Sequence, residues 1–470
     1  MNFKKGSIYL MIAWAVALVT GYLYNIWLTH RFSQSVYGDY QVIISVLVWL
    51  EIVVLHGLPY TIQKFIGSHE EQADAILLTA IYLQLWVAVL LFILSYAAAP
   101  WIARALKSVN YTMYLRVAFC DVLFLGFYNL LQAYQNGQQQ FGRQSMMIVL
   151  YVVGKLAAGV LLVLIFGSLI SALLANIVAS ILGILWGIVF LGRRSLKIRY
   201  PARPLLRFTR ASLGFLLMLY LLFYIDLWFV KVHLHSAVSG YYGLAGMLSR
   251  APYFLCIGVA TTMLPTLSAA LTGGELDQAK HLFRQAIQFL WLMLAPIGVL
   301  MVIFRNDIIS ILFKAEYAPA APVMAVLLWG MIALAFFYLN TTLLNAAHKP
   351  RLSFFLVGAM ILLDVALNAV YVPRYGVMGG AVSTSFSCFL GMMVSAVLVF
   401  RRFRVALSAA SFLRITGVAA GVGILAILTG LRGIWAIPAI IVGIVLYLAI
   451  LFWWGELSRR DIEEIFGGGR

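Results

Sequence analysis

Charge is scarce in this chain: of 470 residues, 10% are Asp, Glu, Lys or Arg and 64% are hydrophobic. A water-soluble protein of this length carries roughly a quarter charged residues. The polar surface needed to face water is therefore missing, and lipid is the remaining solvent. Acidic residues are scarcer still, 16 against 33 Lys and Arg. On a soluble protein a net charge of +17 would point to nucleic acid. Here the basic residues sit in short connections between apolar runs, which reads as topology determinants and contacts with anionic membrane lipids, with no nucleic-acid partner. Cysteine is almost absent. Cys120, Cys256 and Cys388 lie in apolar runs without pairing or ligand spacing, which argues against a disulfide framework or a metal site. His233-Leu234-His235 has no third ligand near it. No glycine loop ends in Lys-Ser/Thr, so no ATPase module is built in and no cofactor is expected. Every connection is about twenty residues or shorter, which leaves little room for the catalytic loop of a polytopic glycosyltransferase or polymerase. The chain reads as a non-enzyme.

A helix needs about twenty mostly apolar residues to cross the hydrocarbon core. That rule places spans at 8–28, 40–58, 75–98, 112–132, 146–166, 168–191 and 211–231. It continues at 241–266, 282–304, 320–343, 351–372, 377–400, 411–429 and 433–454, about fourteen in all. The expected class is an all-α integral membrane protein. Lys4 and Lys5 precede a first apolar run long enough to span, so it reads as an uncleaved helix rather than a signal peptide. With the N-terminus inside, the inner segments hold 22 of the Lys and Arg and the outer loops 8, while Arg116, Lys155 and Arg250 fall within spans. This bias predicts a multi-pass protein of the cell (inner or plasma) membrane with both termini cytoplasmic. The densest basic stretch, 192–210, carries Arg193, Arg194, Lys197, Arg199, Arg203, Arg207 and Arg210 with no acid. It reads as a cytoplasmic linker lying on anionic lipid.

The chain also repeats itself. Val36-Tyr37-Gly38-Asp39-Tyr40 opens the second span, and Val238-Ser239-Gly240-Tyr241-Tyr242 opens the eighth. Leu130-Leu131-Gln132-Ala133 ends the fourth, and Leu343-Leu344-Asn345-Ala346 ends the tenth. Phe166-Gly167 precedes the sixth span as Tyr375-Gly376 precedes the twelfth, and the offsets of 202, 213 and 209 residues keep one order. Six spans per copy is an even number, so both copies enter from the same side, as in parallel-repeat transporters. The expected division is a six-helix lobe at 1–191, the basic linker at 192–210, a second lobe at 211–400, and two additional helices with a cytoplasmic tail at 401–470. Two such lobes with a site between them can open on either face, so the pattern points to a transporter.

Four segments resemble the multidrug/oligosaccharidyl-lipid/polysaccharide (MOP) exporter superfamily, specifically its bacterial polysaccharide-flippase (O-antigen-type) branch. RFSQSVYGDY at Arg31–Tyr40 looks like that family's first periplasmic connection. Asp226 through Pro265, with the Gly240-Tyr241-Tyr242 turn between them, is similar to its seventh and eighth helices. NTTLLNAAHKPR at Asn340–Arg351 resembles the end of its tenth helix, and NAVYVPRYGVMGGAVST at Asn368–Thr384 its eleventh-to-twelfth connection. The likeness covers about residues 1–400 and rests on pattern rather than on an invariant motif. It implies a flippase that carries a polyprenyl-pyrophosphate-linked oligosaccharide from the cytoplasmic to the outer leaflet for cell-surface polysaccharide assembly. It also implies coupling to H+ or Na+, and work beside a polysaccharide polymerase and other assembly proteins. Lipid II flippases and multidrug or cation antiporters share the fold. Lipid II flippases typically concentrate cations in the N-terminal lobe, whereas the first span here has no charge from Ile8 to Leu28.

Moving a pyrophosphate and its sugars through hydrocarbon costs on the order of tens of kcal/mol by simple solvation. A wet, cationic chamber between the lobes would remove most of that cost. Lys155 lies mid-span with no acid three or four residues away, where a cation facing lipid costs at least ~2.5 kcal/mol. It is expected to bind substrate or to pair. Arg250, in the outer half of the eighth span, is expected beside it, because the lipid II flippases it resembles place cavity-facing cations in that region. Arg116 and Arg31, near the outer ends of the fourth and first spans, complete the substrate-binding set, with snorkelling to the interface as the alternative. Asp226, Asp364 and Glu51 are candidates for ion coupling or for structural pairing with these cations. Asp121 is a weaker candidate, and five residues after Arg116 it does not share that residue's helix face.

Overall fold

The computed structural model describes residues 3–191 and 200–456, and the only regular structure among them is helical. In hydrocarbon no water reaches the backbone, and a helix satisfies its own N–H and C=O groups. The chain divides into two compact units, Met1–Tyr224 and Ile225–Arg470.

The first unit opens with α1 (Phe3–Arg31) and turns at Ser33, whose side chain accepts from the Val36 amide to cap α2 (Gln34–His56). α2 and α3 (Leu58–Ser68) form one apolar crossing broken at Gly57. α4 (Ala73–Ala105) follows, and then a second broken crossing, α5 (Tyr111–Phe119) and α6 (Asp121–Gly137), interrupted at Cys120. α7 (Phe141–Phe166) ends on Gly167 in the left-handed region, φ 62°, and Ser168 caps α8 (Leu169–Val189). α9 (Ala202–Leu221) completes the unit. α1 packs on α7, α7 on α8, and α6 on α2, α3 and α8. Trp14, Trp86 and Leu161 stay exposed, as side chains facing lipid tails should.

The second unit begins with α10 (Ile225–His233) and then α11 (Ser236–Ser249) and α12 (Ala251–Thr272), one crossing broken at Arg250. Pro252, which has no amide hydrogen, fits the first turn of α12. α13 (Leu276–Ile303), the short α14 (Arg305–Leu312) and α15 (Ala320–Ala346) follow, and α15 is buried along most of its length. α16 (Pro350–Phe403) carries two spans, because the chain folds back at Gly376 (φ 61°, ψ −140°), a backbone conformation close to glycine-only. Gly379 then lies so close to the Tyr371 carbonyl that a Cβ would stand 2.1 Å from its oxygen. α10 packs on α16, and α15 packs on α11, α12 and α16. These pairings reproduce those of α1 with α7 and of α6 with α2, α3 and α8, so the sequence repeat is carried into the packing. α17 (Ala409–Leu428) and α18 (Ala436–Trp453) lie against α13. There the Trp291 ring stacks on Phe412 at 5.4 Å and donates to Thr416 at 3.1 Å, and the Tyr447 hydroxyl donates to the Leu292 carbonyl at 2.9 Å.

Thirteen helices among the described residues are long and apolar enough to cross a membrane, and α16 supplies two of the expected spans. The all-α, multi-pass membrane class read from the sequence is the one observed. The span expected at 211–231 is divided between α9 and α10, and the first compact unit ends at that break. Leu205 of α9, a helix that also carries Arg203, Arg207 and Arg210, is fully buried with Leu58, Ile62 and Leu77. Arg193, Arg194, Lys197 and Arg199 lie outside the described residues. α17 and α18 pack against α13 within the second unit.

Candidate functional site

Each unit gathers charged and polar side chains from helices that are otherwise apolar. In the second unit Asp226 stands in the first turn of α10, where the open amides of a helix start favour a carboxylate. Its Oδ1 accepts from the Leu227 amide at 2.7 Å, and its Oδ2 from the Tyr242 hydroxyl of α11 at 2.7 Å. Asp364, fully buried on the first arm of α16, is within electrostatic reach of Asp226. Asn368, one turn further on, donates Nδ2 to the Asp364 carbonyl and to its Oδ1, both at 2.9 Å. What remains is a set of unsatisfied oxygens. Asp364 Oδ2, Asn368 Oδ1 and, on the returning arm, Thr384 Oγ1 are buried and complete no hydrogen bond. Thr384 lies beside both carboxyls without meeting either in hydrogen-bond geometry. Leaving such oxygens bare costs about 1–3 kcal/mol each. A small hard cation, which takes carboxylate, amide and hydroxyl oxygens, would satisfy them together. Arg250, in the break between α11 and α12, turns its guanidinium back beside Gly246 and is within electrostatic reach of Asp226 and Tyr242.

In the first unit Glu51 of α2, Asp121 at the start of α6 and Lys155 of α7 lie within electrostatic reach of one another. Both acids are buried, and Lys155 is half-buried. Asp121 Oδ1 accepts from the Ser180 hydroxyl of α8 at 2.7 Å, while its Oδ2 completes no hydrogen bond. Tyr40 of α2 and Tyr151 of α7 border the same group. Lys155 therefore faces acids from two other helices. Each carboxylate brings it roughly the attraction that a lone intramembrane cation would otherwise lack.

The other expected residues lie elsewhere. Arg116 stacks its guanidinium on the Tyr96 ring of α4 at 4.6 Å, with Nε buried and unsatisfied. Arg31 is exposed in the last turn of α1, where a cation suits the helix dipole. Four participants escaped the sequence reading: Tyr242, Asn368, Thr384 and Ser180. Of these only Asn368 carried a local signal, an amide four residues after an acid within an apolar run. Lys231, the last residue of the span expected at 211–231, is buried on α10 and donates to the Ser236 hydroxyl.

A family described as "Polysaccharide biosynthesis protein" matches residues 31–322. The chain is 23% identical over 394 residues to "Probable low-salt glycan biosynthesis flippase Agl15" of Haloferax volcanii, covering 82% of this chain and 81% of that one. It is 24% identical over 155 residues to "Uncharacterized membrane protein MJ1068" of Methanocaldococcus jannaschii, a match that spans 31% of that relative and 33% of this chain. Among solved structures, a lipid II flippase MurJ in an inward closed conformation superposes with a TM-score of 0.78 at 16% identity, over 96% of this chain and 100% of that one. An inward-facing multidrug resistance MATE family transporter of the MOP superfamily gives 0.72 at 14% identity, over 83% and 94%. At such identities the structural likeness establishes the fold.

Proposed function

Because the chain belongs to the polysaccharide biosynthesis protein family, we propose that it is a flippase of the MOP exporter superfamily for a polyprenyl-pyrophosphate-linked oligosaccharide. It takes the lipid from the cytoplasmic leaflet, delivers it to the outer one by alternating access, and serves cell-surface polysaccharide assembly beside a polymerase and other assembly proteins. It is a carrier, with both termini on the cytoplasmic side. The family description and the glycan-biosynthesis name of a relative matched over 82% of this chain support the substrate class.

The observation that carries the mechanism is the set of bare oxygens on Asp364, Asn368 and Thr384, with Asp226 within electrostatic reach of Asp364. We assign to it the coupling ion, H+ or Na+. A cation seated between the two carboxylates competes with Arg250 for the charge of Asp226. The guanidinium then turns to the pyrophosphate, whose oxygens it can meet with two parallel N–H donors. Ion and head group are thus linked through one arginine, and the linkage acts equally in both directions. Lys155 gives the head group a second cation, held in readiness by Glu51 and Asp121.

The test is genetic and chemical. Deleting the gene should cause a lipid-linked oligosaccharide to accumulate in the cytoplasmic leaflet. The wild-type chain should clear it, and the Lys155→Ala/Arg250→Ala variant, present in the membrane at equal level, should not. Clearance by that variant would remove both residues from the site. Accumulation of lipid II would identify a lipid II flippase, and drug sensitivity with normal surface glycan an antiporter. Either result displaces this reading.

A further inference from the structure

At the end of the first unit where α3, α6 and α7 meet, a groove of about 390 Å³ opens, lined by Tyr60, Gln63, Lys64, Asn136, Gln139 and Phe141. Its volume falls in the range of small-molecule sites, and its lining is amide and aromatic, with one ammonium and no carboxylate. The segment that builds it, Gln135-Asn136-Gly137-Gln138-Gln139-Gln140, is unusually rich in amides for a connection between apolar spans.

Those amides are held in place. Gln63 donates to Asn136 Oδ1 at 2.7 Å, and Asn136 donates to the buried Gln144 at 2.8 Å. Behind them Arg143 donates to Gln140 at 2.7 Å, Gln140 to Gln138 at 3.1 Å, Gln138 to the Tyr134 hydroxyl at 2.9 Å, and Tyr134 to Asp74 at 2.6 Å. Gln139 is turned out of this chain of bonds. Its backbone sits at φ 55°, an unfavourable conformation for glutamine, and its exposed side chain enters no hydrogen bond among the described residues. Gln63 keeps its carbonyl oxygen available beside it. Tyr60 is half-exposed and is backed by Phe208 of α9 at 6.1 Å, which fixes the ring.

Fixed amides that offer both donors and acceptors, next to aromatic faces, match the hydroxyls and C–H faces of a sugar ring. A bare phosphate would instead call for a cluster of cations, and the single ammonium present, that of Lys64, is spent on the Phe208 ring at 4.2 Å. Counting crossings from α1, the groove lies on the membrane side where the chain begins. We propose that it is a saccharide subsite, which holds sugars beyond the first residue of the lipid-linked oligosaccharide at the capture side. The inference deepens the flippase reading and rests on it.

The variant is Gln63→Ala/Gln139→Gly, the glycine chosen because it adopts φ 55° without strain. Wild type and variant are reconstituted in vesicles with two lipids, the host's own polyprenyl-pyrophosphate-linked repeat unit and the same carrier bearing one sugar. The expected result is a loss of about tenfold in transport of the repeat unit, from two or more missing hydrogen bonds, with the one-sugar lipid unchanged. Equal loss on both lipids, or none on either, overturns the subsite. In parallel, free oligosaccharide released by mild acid from the repeat unit is titrated onto detergent-purified protein. Binding to wild type weakened about tenfold in the variant supports the subsite, and equal binding or no binding overturns it. If wild type carries neither lipid, the flippase reading fails, and the titration alone decides the groove.

Discussion

The sharpest consequence of the second unit's cluster concerns Asp364→Asn. The substitution keeps shape and removes one unit charge from a fully buried position. At ~4 Å and an effective dielectric constant of ~20, one carboxylate attracts a monovalent cation by about 4 kcal/mol, roughly a thousandfold in affinity. In wild type, Na+ at about a hundred times its dissociation constant should stabilise the fold by ~2.7 kcal/mol. In the variant the same concentration falls to about a tenth of the constant, and the stabilisation to under ~0.1 kcal/mol. Without the ion the sign reverses. The new amide can donate to Thr384 Oγ1 or Asn368 Oδ1, both of which lack a donor, so the variant should be at least as stable as wild type. Thermal unfolding in detergent reads both effects, titrated with Na+ at fixed pH and with acid in Na+-free buffer. If wild type and variant respond alike in both titrations, Asp364 holds no coupling ion.

Three further outcomes follow from the packing. Lys155→Met should leave Glu51 and Asp121 without their counter-ion and destabilise the first unit by about 2–3 kcal/mol, while Lys155→Met/Glu51→Gln/Asp121→Asn should regain the wild-type melting temperature but not transport. A triple variant as unstable as the single one would show that the three do not act as a charge group. Gly376→Ala should cost about 1–3 kcal/mol, read as a lower melting temperature, because alanine strains at φ 61°, ψ −140°; an unchanged melting temperature would mean that the fold-back relaxes elsewhere. Trp291→Ala should cost about 2–3 kcal/mol and open the connection before α17 to protease, since the Phe412 stack and the Thr416 hydrogen bond are lost together. Protection equal to wild type would assign the docking of α17 and α18 to other contacts.

The spans were legible because lipid leaves one solution for the backbone and that solution needs long apolar runs. Phe166-Gly167-Ser168 and Tyr375-Gly376 were legible as turns for the same reason that they are turns, a glycine at positive φ between such runs. The breaks at Gly57, Cys120 and Arg250 were not, because each lies inside a run apolar enough over its whole length to read as one crossing. The packing of α9 was not legible, because charge density marks where a chain meets water and does not show that Leu205 is buried among Leu58, Ile62 and Leu77. Lys155 looked solitary because its acids stand on α2 and α6, and no spacing rule reaches across helices. Asp364 with Asn368 was within reach of the four-residue rule, but Thr384 was not, since only the reversal at Gly376 brings the second arm of α16 beside the first.

On the coupling proposal, that reversal would also bear on how an ion is released. Asp364, Asn368 and Thr384 stand on two arms of α16 joined by one bend at Gly376. Asp226 alone comes from a different helix. On the coupling proposal, the affinity of the group would then vary with the approach of α10, the nine-residue helix that carries Asp226.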